Sequence, residues 1–424
     1  MKKPKITILD NGLKIVSIHH YGPSTTVMAL VSTGSKYETT ENNGVSHFLE
    51  HMCFKGTSQR NGKDIMRYLE GLGAETNAFT SREITGYYVK AIHKHWKKTL
   101  AVVADIYVDS LFPDDEIQKE KGVIIGEISM YDDMPMSQVH DIFNQLTFEN
   151  QPAGMTILGP KKAIKKMTRN QIVDYHNSHY VSSATTIVVT GNIEHKKIVA
   201  EVIKQFKNIS VSKKSEKQKT INEFSEPKIK IHTKKTDQTH MILGYLSLDM
   251  KHKDAIILKM IATLLGGGMS SRLFERLRED LGVGYYVQAK NNAQTDTGIF
   301  EISCGVDSAR TEEVISEIQN EILRIKKERI TEDELKRVRE YIIGNIQMGL
   351  ESSDDIAYFY GKQFLFGLEP KSPRDLIAAY KKITAKDINR VANKIFKNER
   401  LFCALVGPHS SQQEISFKKT LFLK

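Results

Sequence analysis

The sequence predicts an α+β protein of two duplicated domains, each a mostly antiparallel sheet with helices packed on one face. Three observations lead there. Strand-like and helix-like segments come in groups and do not strictly alternate. The chain resembles itself at a nearly constant offset. Its 424 residues exceed what one ordinary hydrophobic core holds.

The internal likeness has three parts. Thr168 to Ile172 and Thr384 to Ile388 each open a helical pattern, and each threonine is followed 23 positions later by the glycine that ends an apolar strand, Gly191 and Gly407. Residues 115–128 match residues 333–346 at a similar offset, both containing Ile-Ile-Gly. Gly86-Tyr87-Tyr88-Val89 reappears as Gly284-Tyr285-Tyr286-Val287. Three matches in the same order argue for duplication.

Within copy one, residues 5–9 and 13–18 flank Asn11-Gly12 and read as a β-hairpin. A strand near 26–33 precedes helices near 44–54 and 62–72. Strands near 74–80 and 85–92 come next, then helices near 94–110, 114–132, 136–148 and 168–179. A strand at 184–190 and a helix after 194 close the copy. Copy two has strands near 228–232 and 239–247, helices near 254–280, strands near 284–290 and 297–305, further helices and a last strand at 401–406. Residues 213–219 are Lys/Ser-rich without apolar period. The expected division is therefore a domain over 1–210, a linker over 211–227 and a second domain over 228–424.

Composition bounds the function. Hydrophobic and charged fractions of 40% and 26% are those of a soluble globular protein. No run approaches the ~20 apolar residues of a spanning helix, so no membrane insertion is expected. The first residues carry lysines but no apolar stretch, which argues against a secretory signal. Three scattered cysteines argue against a disulfide framework and for a reducing compartment, the cytoplasm or an organelle matrix. The net charge of +10 comes without basic runs interleaved with aromatics, so nucleic acid is not an expected partner.

His47-Phe48-Leu49-Glu50-His51 carries the chemistry. On a helix, positions i and i+4 share a face one turn apart, so the two imidazoles can grip one metal ion. Glu50, at i+3, points the same way and suits a base holding a water. Hydrolytic zinc takes three protein ligands and keeps one place open. The third ligand must come from elsewhere, and Glu120 and Glu127 lie on one face of a later helix. Their counterparts in copy two are Val338 and Asn345, and copy two has no similar histidine motif. One copy thus carries every candidate metal residue.

Residues 44–57 closely resemble the signature of the insulinase/pitrilysin family of inverted-motif zinc metallopeptidases, in its processing-peptidase-like branch. The likeness extends over residues 74–83, 266–274 and 277–285. It implies one zinc ion per chain held by His47, His51 and Glu127, with Glu50 as general base and Glu120 orienting the ligands. It implies that an extended peptide lies along Asn77, Ala78, Phe79 and Thr80. It also implies that Arg278 and Tyr285 reach the substrate from the opposite half of a clamshell. The family's chamber has four such domains, so this two-domain chain is expected to pair as a homodimer, or with a related chain. Gln151-Pro152-Ala153-Gly154 departs from the family's His-Pro-Leu-Gly and leaves the metal residues intact. Alternatives are a non-peptide zinc hydrolase, a non-catalytic scaffold subunit and a basic binding module.

Smaller features have plainer readings. Gly266-Gly267-Gly268 lacks the Lys-Ser/Thr of a phosphate loop. It reads as a peptide-contacting loop or as a helix end with positive φ. His93, His95 and Trp96 read as surface and capping residues, Cys53 as core, and His140 and His176 as structural.

Overall fold

The computed structural model describes residues 3–410 and 412–423. The first half of the chain runs β1 (Lys5–Ile8), β2 (Lys14–His19), β3 (Ser24–Val31), α1 (Val45–Met52), α2 (Gly62–Gly71), β4 (Glu75–Thr80) and β5 (Thr85–Ile92). It continues with α3 (Trp96–Val108), α4 (Asp114–Asp133), α5 (Pro135–Phe148), α6 (Lys161–Lys166), α7 (Arg169–His179), β6 (Thr185–Gly191) and α8 (His195–Gln205). The second half runs β7 (Lys228–Thr233), β8 (Gln238–Leu246), α9 (Ala255–Gly266), α10 (Arg272–Phe274), β9 (Gly284–Ala293) and β10 (Gly298–Asp307). Then come α11 (Thr311–Lys327), α12 (Glu332–Met348), α13 (Ser353–Leu365), α14 (Pro373–Lys382), α15 (Ala385–Ile395), β11 (Leu401–Gly407) and α16 (Gln413–Leu421). Residues 211–227 carry neither helix nor strand.

The two sheets repeat one plan. The first has the order β1-β2-β6-β3-β5-β4 and the second β7-β11-β8-β10-β9. Each has one parallel pair, β2 with β6 and β7 with β11, and is otherwise antiparallel. Equivalent ends are also made alike. Thr168 and Thr384 both form capping boxes, with Gln171 and Asp387 at the third position, before α7 and α15. The Gly-Tyr-Tyr-Val likeness is different: its first instance lies in β5, whereas the second opens the edge strand β9, whose counterpart is β4. Aromatic and β-branched residues favour any strand, and composition alone accounts for that match.

The N-terminal hairpin forms as expected, with Lys5 paired to Ser17 and Ile8 to Lys14. Gly12 takes φ 87° in its turn, which costs glycine little.

The central strands are apolar on both faces. Along β3, Val27, Ala29 and Val31 join the main core of the first sheet, while Met28 and Leu30 join a separate cluster on the opposite face. That second cluster is closed by Ile356, Ala357, Tyr360 and Leu365 of α13. The second sheet does the same. Met241, Leu243 and Tyr245 of β8 face the main core, and Ile242 and Leu246 face Val139, Phe143 and Phe148 of α5. Each sheet thus carries a helix on the face expected to be bare.

The helix on the second face comes from the other half of the chain. One compact unit comprises the chain up to Ile128, Met155–Gln218 and Gln347–Ser372. The other comprises Ser129–Gly154, Lys219–Ile346 and the chain from Pro373 onward. A single cut at residues 211–227 therefore does not describe the contacts. Helices α5 and α13 hold the same place in the two copies, and they are exchanged. The physical reason is burial: Phe143 and Tyr360 are at most 1% exposed, and each fills a sheet face that would otherwise meet water. Glycine makes room for one of them, since a Cβ on Gly244 would sit 2.5 Å from Cζ of Phe143.

Replacing Phe143 by alanine should cost about 3–5 kcal/mol of stability, the usual range for a fully buried ring. Urea unfolding followed by circular dichroism measures it. A loss below about 1 kcal/mol would show that α5 contributes little to that core.

Candidate functional site

Helix α1 begins under unusual control. Its N-cap, Gly44, has φ 97°, and a Cβ there would meet the Leu158 carbonyl oxygen at 2.6 Å. The buried carboxylate of Glu38 accepts the N–H groups of Gly44 at 2.7 Å and Ser46 at 2.8 Å. It also accepts the Asn43 amide at 2.8 Å. Free N–H groups of the first turn are thereby satisfied, and a negative group faces the positive end of the helix. Burial raises the Glu38 pKa, while these hydrogen bonds hold it down. Sequence patterning located the start of α1 but missed Glu38, six residues upstream of the cap. Val45, Phe48, Leu49 and Met52 pack into the core, leaving His47, Glu50 and His51 on the other face.

That face meets α4. His47 Nε2 and His51 Nε2 each lie 3.8 Å from Glu127 Oε2. The three ligand atoms lie within 4.8 Å of one another, and no other such group of three metal-binding side chains occurs among the described residues. Two atoms bonded to one zinc ion at about 2.0–2.2 Å are at most about 4.3 Å apart, so both 3.8 Å separations fit. Donor chemistry fits as well. Glu120 Oε1 lies 2.8 Å from His51 Nδ1. A carboxylate only accepts, so Nδ1 carries the proton, and in the neutral ring Nε2 keeps its lone pair for a metal. Nδ1 of His47 is buried without a hydrogen-bond partner.

The surrounding charges set the protonation states. Lys55 Nζ lies 2.6 Å from the other oxygen of Glu120. Burial pulls His51 down, but the hydrogen bond and charge of Glu120, with Glu50 and Glu127, carry it above an ordinary imidazole. Burial and then the charge of His51 lower His47 to about 3, so it is neutral and free to ligate. Burial of Glu120 is outweighed by His51 and Lys55, and its pKa falls. Glu50 is raised, chiefly by burial and further by Glu127, against a 2.6 Å hydrogen bond from the Thr80 hydroxyl. A carboxylate held this way is both oriented and more basic than usual.

Thr80 ends β4, the edge strand of its sheet. Asn77, Ala78 and Phe79 precede it there, paired through β5 on one side only. Arg278 and Tyr285 belong to the other unit. Arg278 donates to the Tyr285 carbonyl at 2.6 Å, and Tyr285 is 58% exposed. The counterpart of Glu127 in α12 is Asn345, whose amide turns back to the Tyr341 carbonyl.

The minor features resolve simply. Cys53 is fully buried and His176 donates to the Tyr107 carbonyl at 2.9 Å. Gly266 and Gly267 end α9 without positive φ. Gly266 is needed for close approach instead, since a Cβ would lie 2.5 Å from the Ala289 nitrogen.

Comparison with known proteins gives one answer. Residues 14–161 match the family model described as insulinase (peptidase family M16), and residues 166–342 match the peptidase M16 inactive domain. The boundary agrees with the chemistry: all three metal-cluster residues fall in the first match. An uncharacterized zinc protease of Rickettsia bellii is 33% identical over 96% of this chain and 98% of its own length. The beta subunit of the human mitochondrial-processing peptidase is 30% identical over 95% of this chain and 84% of its own. The fold matches that of a protease from Helicobacter pylori with a TM-score of 0.92 at 24% identity, over 96% of this chain and 99% of that one. With a third of its residues shared with a relative along nearly its whole length, this chain belongs to the insulinase family, peptidase family M16.

Proposed function

We propose that the chain is a zinc-dependent endopeptidase that cleaves extended or unfolded peptides. The convergence of two imidazole Nε2 atoms and the Glu127 carboxylate on one point, with Glu50 on the same helical face, carries this reading. His47, His51 and Glu127 hold one zinc ion. Bound there, zinc supplies Lewis acidity, bringing water's pKa toward neutrality and polarising the scissile carbonyl. Glu50 accepts the proton of the attacking water on a carboxylate oxygen and returns it to the leaving amine nitrogen. The Thr80 hydroxyl holds the second oxygen of Glu50, so one oxygen stays available. Glu120, backed by Lys55, keeps the His51 ring turned with Nε2 outward.

The substrate adds as a strand along Asn77, Ala78, Phe79 and Thr80, because β4 has one open edge. Main-chain pairing of this kind tolerates many side chains and selects unfolded chains. Arg278 and Tyr285, from a copy without metal residues, steady a substrate carbonyl. We assign a second two-domain chain as partner, supported by the relative that is named as a subunit. The cytoplasm suits three cysteines that are free and buried, and no helix among the described residues is long and apolar enough to cross a membrane.

Glu50→Gln should lower hydrolysis of a quenched peptide by about 10²–10⁴-fold and leave bound zinc unchanged by mass spectrometry of the metal. Retained turnover in that variant refutes the role of Glu50.

Glu120→Gln removes the charge that helps raise His51 and leaves only a weaker, neutral acceptor for Nδ1, so burial counts for more. In metal-free protein the His51 pKa therefore falls, read by NMR of its Cε1 proton, and zinc affinity drops about 10–100-fold. An unmoved His51 titration would show that Glu120 does not govern that ring.

A further inference from the structure

The second unit contains a cavity of about 620 Å³ lined by α9, β9 and the end of α12. These elements are the counterparts of α1, β4 and α4, which surround the metal cluster in the first copy. The position is kept and the charge is reversed. Asn345 stands where Glu127 stands in the first copy. Lys259 of α9 and Lys290 of β9 both line the cavity, and no aspartate or glutamate does. Both lysines face one cavity, and partial burial followed by the charge of Lys290 lowers the Lys259 pKa. An anion between them would relieve the repulsion.

The rest of the wall mixes polar groups, Thr263, Gln288 and Asn345, with an apolar part formed by Met269, Phe274, Val287 and Ile342. An inorganic anion would satisfy the lysines and leave that wall unused. The last residue of a peptide has both parts, a carboxylate and an adjoining side chain. We propose that this cavity binds the C-terminal residue of a peptide, its carboxylate between Lys259 and Lys290 and its side chain on the apolar wall. The choice of a peptide rests on the peptidase reading above; the anion preference rests on the cavity alone.

Fluorescence anisotropy of labelled short peptides with the full-length protein, in the presence of a chelator, tests this without turnover. One peptide ends in leucine with a free carboxylate, the second is its carboxamide, and the third is a carboxamide with glutamate as its last residue. The free acid should bind about tenfold tighter than its amide, the effect of one charge-assisted contact. The double variant Lys259→Met, Lys290→Met should erase the difference, and both side chains are exposed, so the fold is kept. Equal binding of acid and amide, or a difference that survives the double variant, overturns the proposal. Binding of the glutamate carboxamide as tightly as the free acid overturns the C-terminal assignment. A separate failure to hydrolyse any peptide would refute the enzyme and leave this binding result in place.

Discussion

The bond from His51 Nδ1 to Glu120, 2.8 Å long, ties two helices and three chemical roles together. It sets the tautomer of His51 and so decides which nitrogen can reach a metal. It locks α4 against α1, and Glu127 lies two helical turns beyond Glu120 on the same α4 face. It also gives Glu120 its charge, since His51 and Lys55 together outweigh the burial that would otherwise neutralise it. A buried carboxylate held between an imidazole and an ammonium is costly to build and costly to break. Its value lies in geometry: apolar packing of Phe48, Leu49 and Met52 with Ile117, Ile124 and Ile128 brings the two helices together, and this bond fixes the ring orientation that lets the histidines and Glu127 converge.

The element pattern was legible because it rests on local rules. The helix bearing His47 and His51, the hairpin at Asn11-Gly12 and the paired capping sequences at Thr168 and Thr384 depend on neighbours within a few residues. The exchange of α5 and α13 was not legible, because a short amphipathic helix carries no label for the sheet it covers. One signal did exist. The strand ending at Gly407, Leu-Phe-Cys-Ala-Leu-Val, is an unbroken apolar run, and such runs mark strands buried on both faces. Helices on a single face could not satisfy them.

The site divides in the same way. Spacing alone identified His47, Glu50 and His51, and comparison of the two copies narrowed the third ligand to the glutamates of one helix. The supporting groups escaped notice because they act across the fold. Glu38 holds the start of α1 from an upstream turn. Thr80 reaches Glu50 from 30 residues away, and Lys55 reaches Glu120 from 65. Nothing in one sequence marks a threonine on a strand as the partner of a base.

Duplication explains why two such different pockets occupy equivalent places. A central strand, a helix crossing the sheet, a long helix and an edge strand leave a recess whatever side chains they carry. In the first copy the recess gathers two imidazoles and three acids, a place for a dication. In the second, the acid of the long helix is an amide and lysines stand on the first helix and the edge strand, so the same recess favours negative charge. The close approach of backbone at Gly266 keeps α9 against β9, and with it the shape of the recess. Sheet and helix packing therefore conserve the cavity, while a few substitutions at its rim decide the sign of what it holds.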